Sequence, residues 1–403
     1  MNTQSGSSHR HRVAADGAAA RIFLAFLATA GLFYANIMPA IVDGLIEGLG
    51  FSVQDAGFVG SANVYGAAVG ALIIVFMIRR ISWRPTAYTL LCALISMDLL
   101  SMLVASPNIM IAARFLHGMF GGALVGVGFA VIARASNPDR TFGVLLVVQF
   151  GLGGLGNLFL PRLVPIFGTE ALFLSLIAFS LLTLCMVPFL AEYPVRKPEV
   201  RAAGEYAVRV AMRPLLLTLL AIFLFQAANM GLFAFIIGLA REASLELDFI
   251  TLTLALSGWV GIVGALLVVV LHTQFGRTRP LAIALLLTMG GFWALHFSAN
   301  ATLFLVANCL MGITWAFIIP YLLGLAADFD KTGQMAALGG FASKMGLASG
   351  PLVGGLLLGD NENYGLLINV GIVVLVASML AGVAPALRQD RITKKERALA
   401  QAS

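Results

Sequence analysis

Apolar runs of bilayer-crossing length recur along this chain and leave room for few other architectures. A hydrocarbon layer about 30 Å thick is crossed by about 20 residues of helix. Apolar stretches of that order fall at 21–42, 56–78, 86–105, 109–132, 142–163, 171–191, 214–238, 249–271, 280–298, 302–325, 335–358 and 364–386. They are too long for barrel strands and lack period-2 alternation, so they read as helices. Only 11% of the 403 residues are charged, against about 25% in an ordinary soluble domain. A soluble enzyme is thereby excluded. The expected fold class is an all-α membrane protein of twelve transmembrane helices in two six-helix bundles.

The net charge of +6 would suit a nucleic-acid binder, but the cations sit in short loops at regular intervals. With the N-terminus in the cytoplasm, 21 of the 25 Lys and Arg residues fall on the inner side and only Arg162 and Arg241 on the outer. The positive-inside rule then places both termini in the cytoplasm. The expected location is the cell membrane, crossed many times, which in a Gram-negative cell is the inner membrane. The first twenty residues lack a separate short apolar segment before a cleavage site and read as a polar tail. Cys92, Cys185 and Cys309 lie in separate spans without CxxC or Cys/His spacing, so neither a disulfide framework nor a metal site nor a cofactor is expected.

The polar stretch Glu192 to Arg213 divides the spans six and six. The reading is a tail (1–20), an N-terminal bundle (21–191), a linker (192–213), a C-terminal bundle (214–386) and a second tail (387–403). Gly70-Ala71-Leu72 with Arg84-Pro85 recurs as Gly264-Ala265-Leu266 with Arg279-Pro280, at a shift of 194 to 195 residues. Leu116 and Gly118 match Leu310 and Gly312 at the same shift, and Ala35-Asn36 matches Ala228-Asn229 at 193. One offset across several helices implies two parallel repeats.

On these residues the chain resembles the major facilitator superfamily of secondary transporters, over residues 21–386. Span 4 opens with RFLHGMFGG (Arg114 to Gly122), similar to the family's Arg-x-x-x-Gly signature. Gly346-x-x-x-Gly350-Pro351 in span 11 looks like the pattern of the fifth helix in many proton antiporters, here in the other half. The loop motifs MIRRISWRP and HTQFGRTRP depart from the family pattern by lacking its Asp. The resemblance implies that spans 2, 5, 8 and 11 form the interface between halves. Gly66/Gly70, Gly118/Gly122 and Gly346/Gly350, at helical spacing, allow close backbone approach there or simply pack helices. Pro39, Pro320 and Pro351 remove backbone donors in spans 1, 10 and 11 and are candidate kinks.

Charge inside a bilayer is costly and therefore informative. Asp98, Arg114 and Lys344 lie deep in their spans. Asp98 is eight residues before the turn at Ser106-Pro107-Asn108 and Arg114 six after it, about 12 and about 9 Å from that turn. They pair, or Arg114 snorkels outward and Asp98 is protonated. No Asp or Glu occurs between Asp248 and Asp328, so Lys344 has no deep partner in its own half. Either it binds the negative group of a substrate in a central cavity, or it is neutral or water-solvated and acts in gating. Asn36 and Asn229 are repeat-related, and Gln226 lies one turn from Asn229. Tyr34 and Trp315 are further candidates for the cavity wall, with Asn63, Tyr65, Gln149, Trp259 and Tyr321 behind them. His117 and His296, without a carboxylate or second His nearby in sequence, read as structural.

The expected function is secondary transport of a small organic solute, a carboxylate anion in the first reading, by alternating access. Protons would be the coupling ion, with Asp98 and Arg114 as the coupling pair. A proton-coupled exporter of lipophilic or cationic drugs on the same fold is the alternative. An enzyme would need a convergent nucleophile, base or metal cluster, a channel a ring of polar residues and an ATP-driven pump a phosphate loop. None of these is legible, and neither is a nucleic-acid site. A monomer in the bilayer, with solute and proton as its partners, is the expectation.

Overall fold

The computed structural model describes residues 12–78, 80–194, 212–271, 274–329, 334–359 and 362–402. Most of the expected linker, and the first eleven residues of the expected N-terminal tail, fall outside these. The helices are α1 (Ala18–Ala30), α2 (Phe33–Asn36), α3 (Met38–Leu49), α4 (Val53–Met77), α5 (Trp83–Ser101), α6 (Pro107–Ile132), α7 (Pro138–Phe167) and α8 (Glu170–Met186). They continue as α9 (Met212–Ala234), α10 (Ile236–Glu242), α11 (Leu247–Leu271), α12 (Thr278–Ala294), α13 (Ala301–Asp328), α14 (Gln334–Leu358) and α15 (Tyr364–Ala402). Ten helical segments among the described residues are long and apolar enough to cross a bilayer. The other two passes are explained by local chemistry.

The first pass is broken into α1, α2 and α3. Pro39 lies in the first turn of α3, where its missing N–H costs nothing, so it starts a helix rather than kinking one. Gly50 ends α3 in the left-handed conformation (φ 66°), which only glycine adopts without steric cost, and its N–H caps the Ile46 carbonyl. The third pass, α5, is the least apolar because it carries Asp98 and several hydroxyls. Thr86, Thr89, Ser96 and Ser101 each donate to the carbonyl four residues back, satisfying hydroxyls that lipid cannot.

Packing partners repeat between halves. In the N-terminal half α4 packs on α6, α5 on α6 and α8, and α1 on α7 and α8. In the C-terminal half α11 packs on α13, α12 on α13 and α15, and α9 on α14 and α15. Two long seams join the halves, α4 with α14 and α7 with α11, which are spans 2, 11, 5 and 8, and α3 makes smaller contacts with α9 and α10. The expected tail at 387–403 is not separate from the last span, because α15 continues unbroken to Ala402.

The glycines divide between the two readings that the sequence leaves open. A methyl on Gly66 would run into the Phe115 carbonyl, on Gly70 into that of Met119, on Gly118 into that of Asn63 and on Gly122 into that of Ala67. These four close the α4–α6 seam inside the N-terminal half, not a surface between halves. Gly346 and Gly350 likewise seat α14 on α9, against Phe223, Ala227 and Gly231. Small residues at the seams between halves include Gly57, whose added methyl would lie 2.6 Å from the Pro351 carbonyl oxygen, Gly355 against Gln54, Gly154 against Trp259, and Gly258 against Gly154. Pro351 therefore does lie on that boundary.

Candidate functional site

Three polar assemblies occupy the interior. The first is built on α5 and α6. Arg114 and Asp98 are both fully buried, and Arg114 Nη1 donates to Asp98 Oδ1 at 2.8 Å. The deep pair expected from the turn register is therefore formed, and the snorkelling alternative is not. The second guanidinium nitrogen donates to the Met97 carbonyl at 3.1 Å and to the Ser101 hydroxyl. The rings of Tyr34 and Phe173 lie 5.8 and 5.1 Å from its Cζ, an arrangement that stabilises a cation by ring quadrupoles.

His117 belongs to this assembly. Its Nε2 is 3.3 Å from Asp98 Oδ1, and its Nδ1 is 2.8 Å from Asn63 Nδ2. Because the Asn63 amide also donates to the Arg114 carbonyl at 3.2 Å, its nitrogen is the donor and His117 Nδ1 the acceptor. The ring proton then sits on Nε2, directed at Asp98. The reading of His117 as an isolated structural residue is thus corrected. Its position three residues after Arg114, hence on the same helix face, was the available signal. Asp98 Oδ2 and the Tyr34 hydroxyl are buried without a hydrogen-bond partner among the described residues.

The second assembly surrounds the break in the first pass. Gln149 Nε2 donates to Asn36 Oδ1 at 3.2 Å, and Asn157 Nδ2 to the Asn36 carbonyl at 3.0 Å. Asn157, absent from the sequence candidates, takes a carbonyl freed where the helix is interrupted.

The third assembly joins α9, α13 and α14. Trp315 Nε1 donates to Gln226 Oε1 at 2.7 Å, and Gln226 Nε2 donates to Ser343 Oγ at 2.6 Å. Phe233 packs edge-on against Trp315 at 5.7 Å. Lys344 follows Ser343 directly, is partly buried, and among the described residues has no carboxylate paired with it. It lies ten residues into α14, about 15 Å along the helix.

Other sequence candidates are placed differently. Asn229 is fully buried and donates to the Phe225 carbonyl of its own helix at 2.9 Å. It does not converge with Asn36, because α9 is unbroken where the first pass is interrupted. Arg114 and Tyr34, expected on a cavity wall, are 0% and 2% exposed and out of reach of a solute in this conformation.

Contacts between the halves lie from mid-bundle to the face opposite the termini. Tyr65 Oη is 2.8 Å from Ser349 Oγ, and Trp259 Nε1 donates to the Gly151 carbonyl at 3.2 Å. Nearer that face Arg162 pairs with Asp248 at 3.1 Å and donates to Thr251 Oγ1 at 2.9 Å. Arg241 reaches Asp43 at 3.1 Å and Glu47 at 2.7 Å.

A profile of the Major Facilitator Superfamily matches residues 22–351. Among solved structures the chain is similar to the crystal structure of a mutant of the nucleoside transporter NupG. The match has 13% identity and a TM-score of 0.70, over 91% of this chain and 99% of that one. No curated protein matches it significantly.

Proposed function

The chain belongs to the major facilitator superfamily, and on that premise we propose that this secondary transporter carries a small organic anion held at Lys344. The observation that carries the reading is the unequal pairing of the deep charges. Arg114 is neutralised by Asp98, whereas Lys344 has no carboxylate partner among the described residues. An ammonium group inside a bilayer protein needs an anion or water, and a carboxylate cargo supplies the anion. Ser343, its neighbour in sequence, is hydrogen-bonded to Gln226 and through it to Trp315, and Asn36 with Gln149 offers amides from the other half.

In this reading both termini are cytoplasmic, the two halves rock about the α4–α14 and α7–α11 seams, and protons couple through Asp98 and His117. Asp98 Oδ2 has no hydrogen-bond partner among the described residues, and His117 Nε2–H points at the carboxylate. The similar solved structure is of a nucleoside transporter. A nucleoside would find amides and an indole here but would leave Lys344 unpaired.

The test is uptake into proteoliposomes from a panel of carboxylates, lipophilic cations and nucleosides, with and without a pH gradient. Carboxylate uptake that Lys344→Ala abolishes while the variant stays folded supports the reading. Transport confined to cations or nucleosides, or carboxylate affinity unchanged in Lys344→Ala, overturns it.

A further inference from the structure

The only two cations that the sequence places on the far side, Arg162 and Arg241, both cross from one half to the other. They are not equivalent. Arg162 meets Asp248, whose side chain is 81% exposed, and so exposed a pair is screened by water and contributes little. Arg241, on α10 of the C-terminal half, meets Asp43 on α3 of the N-terminal half, and the Asp43 side chain is only 7% exposed. Its other nitrogen meets Glu47, one turn further along α3 and 47% exposed. One guanidinium thus holds a buried and an exposed carboxylate of the opposite half.

The surroundings add negative charge. Tyr364, at the start of α15, packs over Gly238 of α10. The charged groups that act on it are Glu362, Glu242, Asp43 and Arg241. The groups acting on Asp43 are thus Glu47 on its own helix, Arg241 on α10 and Tyr364 at the head of α15, with Glu242 and Glu362 beside that tyrosine. Two carboxylates meet one cation, and two more, Glu242 and Glu362, act with them on the neighbouring Tyr364. Such a cluster takes up a proton in preference to releasing one.

We propose that Asp43 is a proton-binding site open to the far side, whose occupancy releases Arg241 and lets the two halves part there. One proton moves from water to Asp43 Oδ2, and the buried ion pair becomes a neutral carboxyl beside a guanidinium. Arg241 keeps only its exposed arm to Glu47, which water competes with. This site is separate from Asp98, which lies within one half, and does not depend on the identity of the cargo.

The experiment measures the distance between spin labels at Asn108→Cys and Ala299→Cys, exposed far-side positions in opposite halves. The full chain is used in lipid nanodiscs, with Cys92, Cys185 and Cys309 replaced by serine. The long-distance population in the parent is expected to rise at least about fivefold between about pH 8 and about pH 5.5. Asp43→Asn and, independently, Arg241→Gln are expected to show the long distance at both pH values. Glu47→Gln, which keeps the buried arm, is expected to retain the transition. A parent distribution unchanged by pH overturns the proposal, as does an Asp43→Asn or Arg241→Gln variant that responds like the parent or stays closed throughout.

Discussion

A guanidinium with no exposure to solvent is stable only if its bonds replace the water it has lost, and in Arg114 both terminal nitrogens are so placed, with Nε left without a partner among the described residues. Its fork reaches Asp98, Ser101 and the Met97 carbonyl at once, a geometry that a lysine ammonium cannot reproduce. Arg114→Lys is therefore expected to lower the melting temperature of the purified protein. Asp98→Ala, which strands a buried cation, should cost about 3–5 kcal/mol of stability. Asp98→Asn keeps an acceptor for both Arg114 and His117 but cannot carry a proton. It should fold, lose gradient-driven accumulation and retain exchange, and accumulation at the parent rate would remove Asp98 from coupling. At this scale the sequence was readable where depth decided the outcome, because distance from a turn places Asp98 and Arg114 at one level. It was not readable where helix continuity decided it. Asn36 and Asn229 share a repeat position, yet one sits at a break and reaches across to α7, while the other bonds back to its own helix.

Helix spacing reveals which glycines share a face, but not which neighbour that face meets. Gly66, Gly70, Gly118 and Gly122 form a mutual seam, each admitting a backbone carbonyl of the opposite helix into the space a Cβ would fill. Backbone atoms cannot turn aside as a side chain can, so relief requires moving a whole helix. Gly118→Val is expected to abolish the folded, detergent-extractable protein. Gly290 in α12 provides the contrast, since nothing lies within 4 Å of a methyl added there. Gly290→Ala should be neutral or stabilising by up to about 1 kcal/mol, read as a change in thermal melting. The same logic explains why most span boundaries were legible and the first pass was not. Hydropathy locates apolar runs, whereas the interruption between Asn36 and Met38 depends on α7, where Asn157 donates to the carbonyl the broken helix leaves free and Gly153 and Gly156 make room for Asn36 and Ile37.

For the molecule as a whole, the duplicated offset in the sequence anticipated two halves with repeating internal packing, but it carried no information about how the halves lean. That depends on which contacts cross the boundary. In α4 these involve residues from Val53 to Tyr65, in α14 Ser349 to Gly355, in α7 Phe150 to Arg162, and in α11 Asp248 to Gly261. Among the described residues these lie between mid-bundle and the face opposite the termini, so the halves are latched at that end in this conformation. Ser343, in the middle of the bundle, should then be reached by water from the terminal side. A single cysteine at Ser343→Cys, on a background without the native cysteines, is expected to react with a membrane-impermeant maleimide on the order of tenfold faster when the reagent is added on that side. Breaking Arg241 by substitution to glutamine should narrow the ratio, because the far end can then open. Equal labelling from both sides in the parent would show that the contacts at the far face do not seal it.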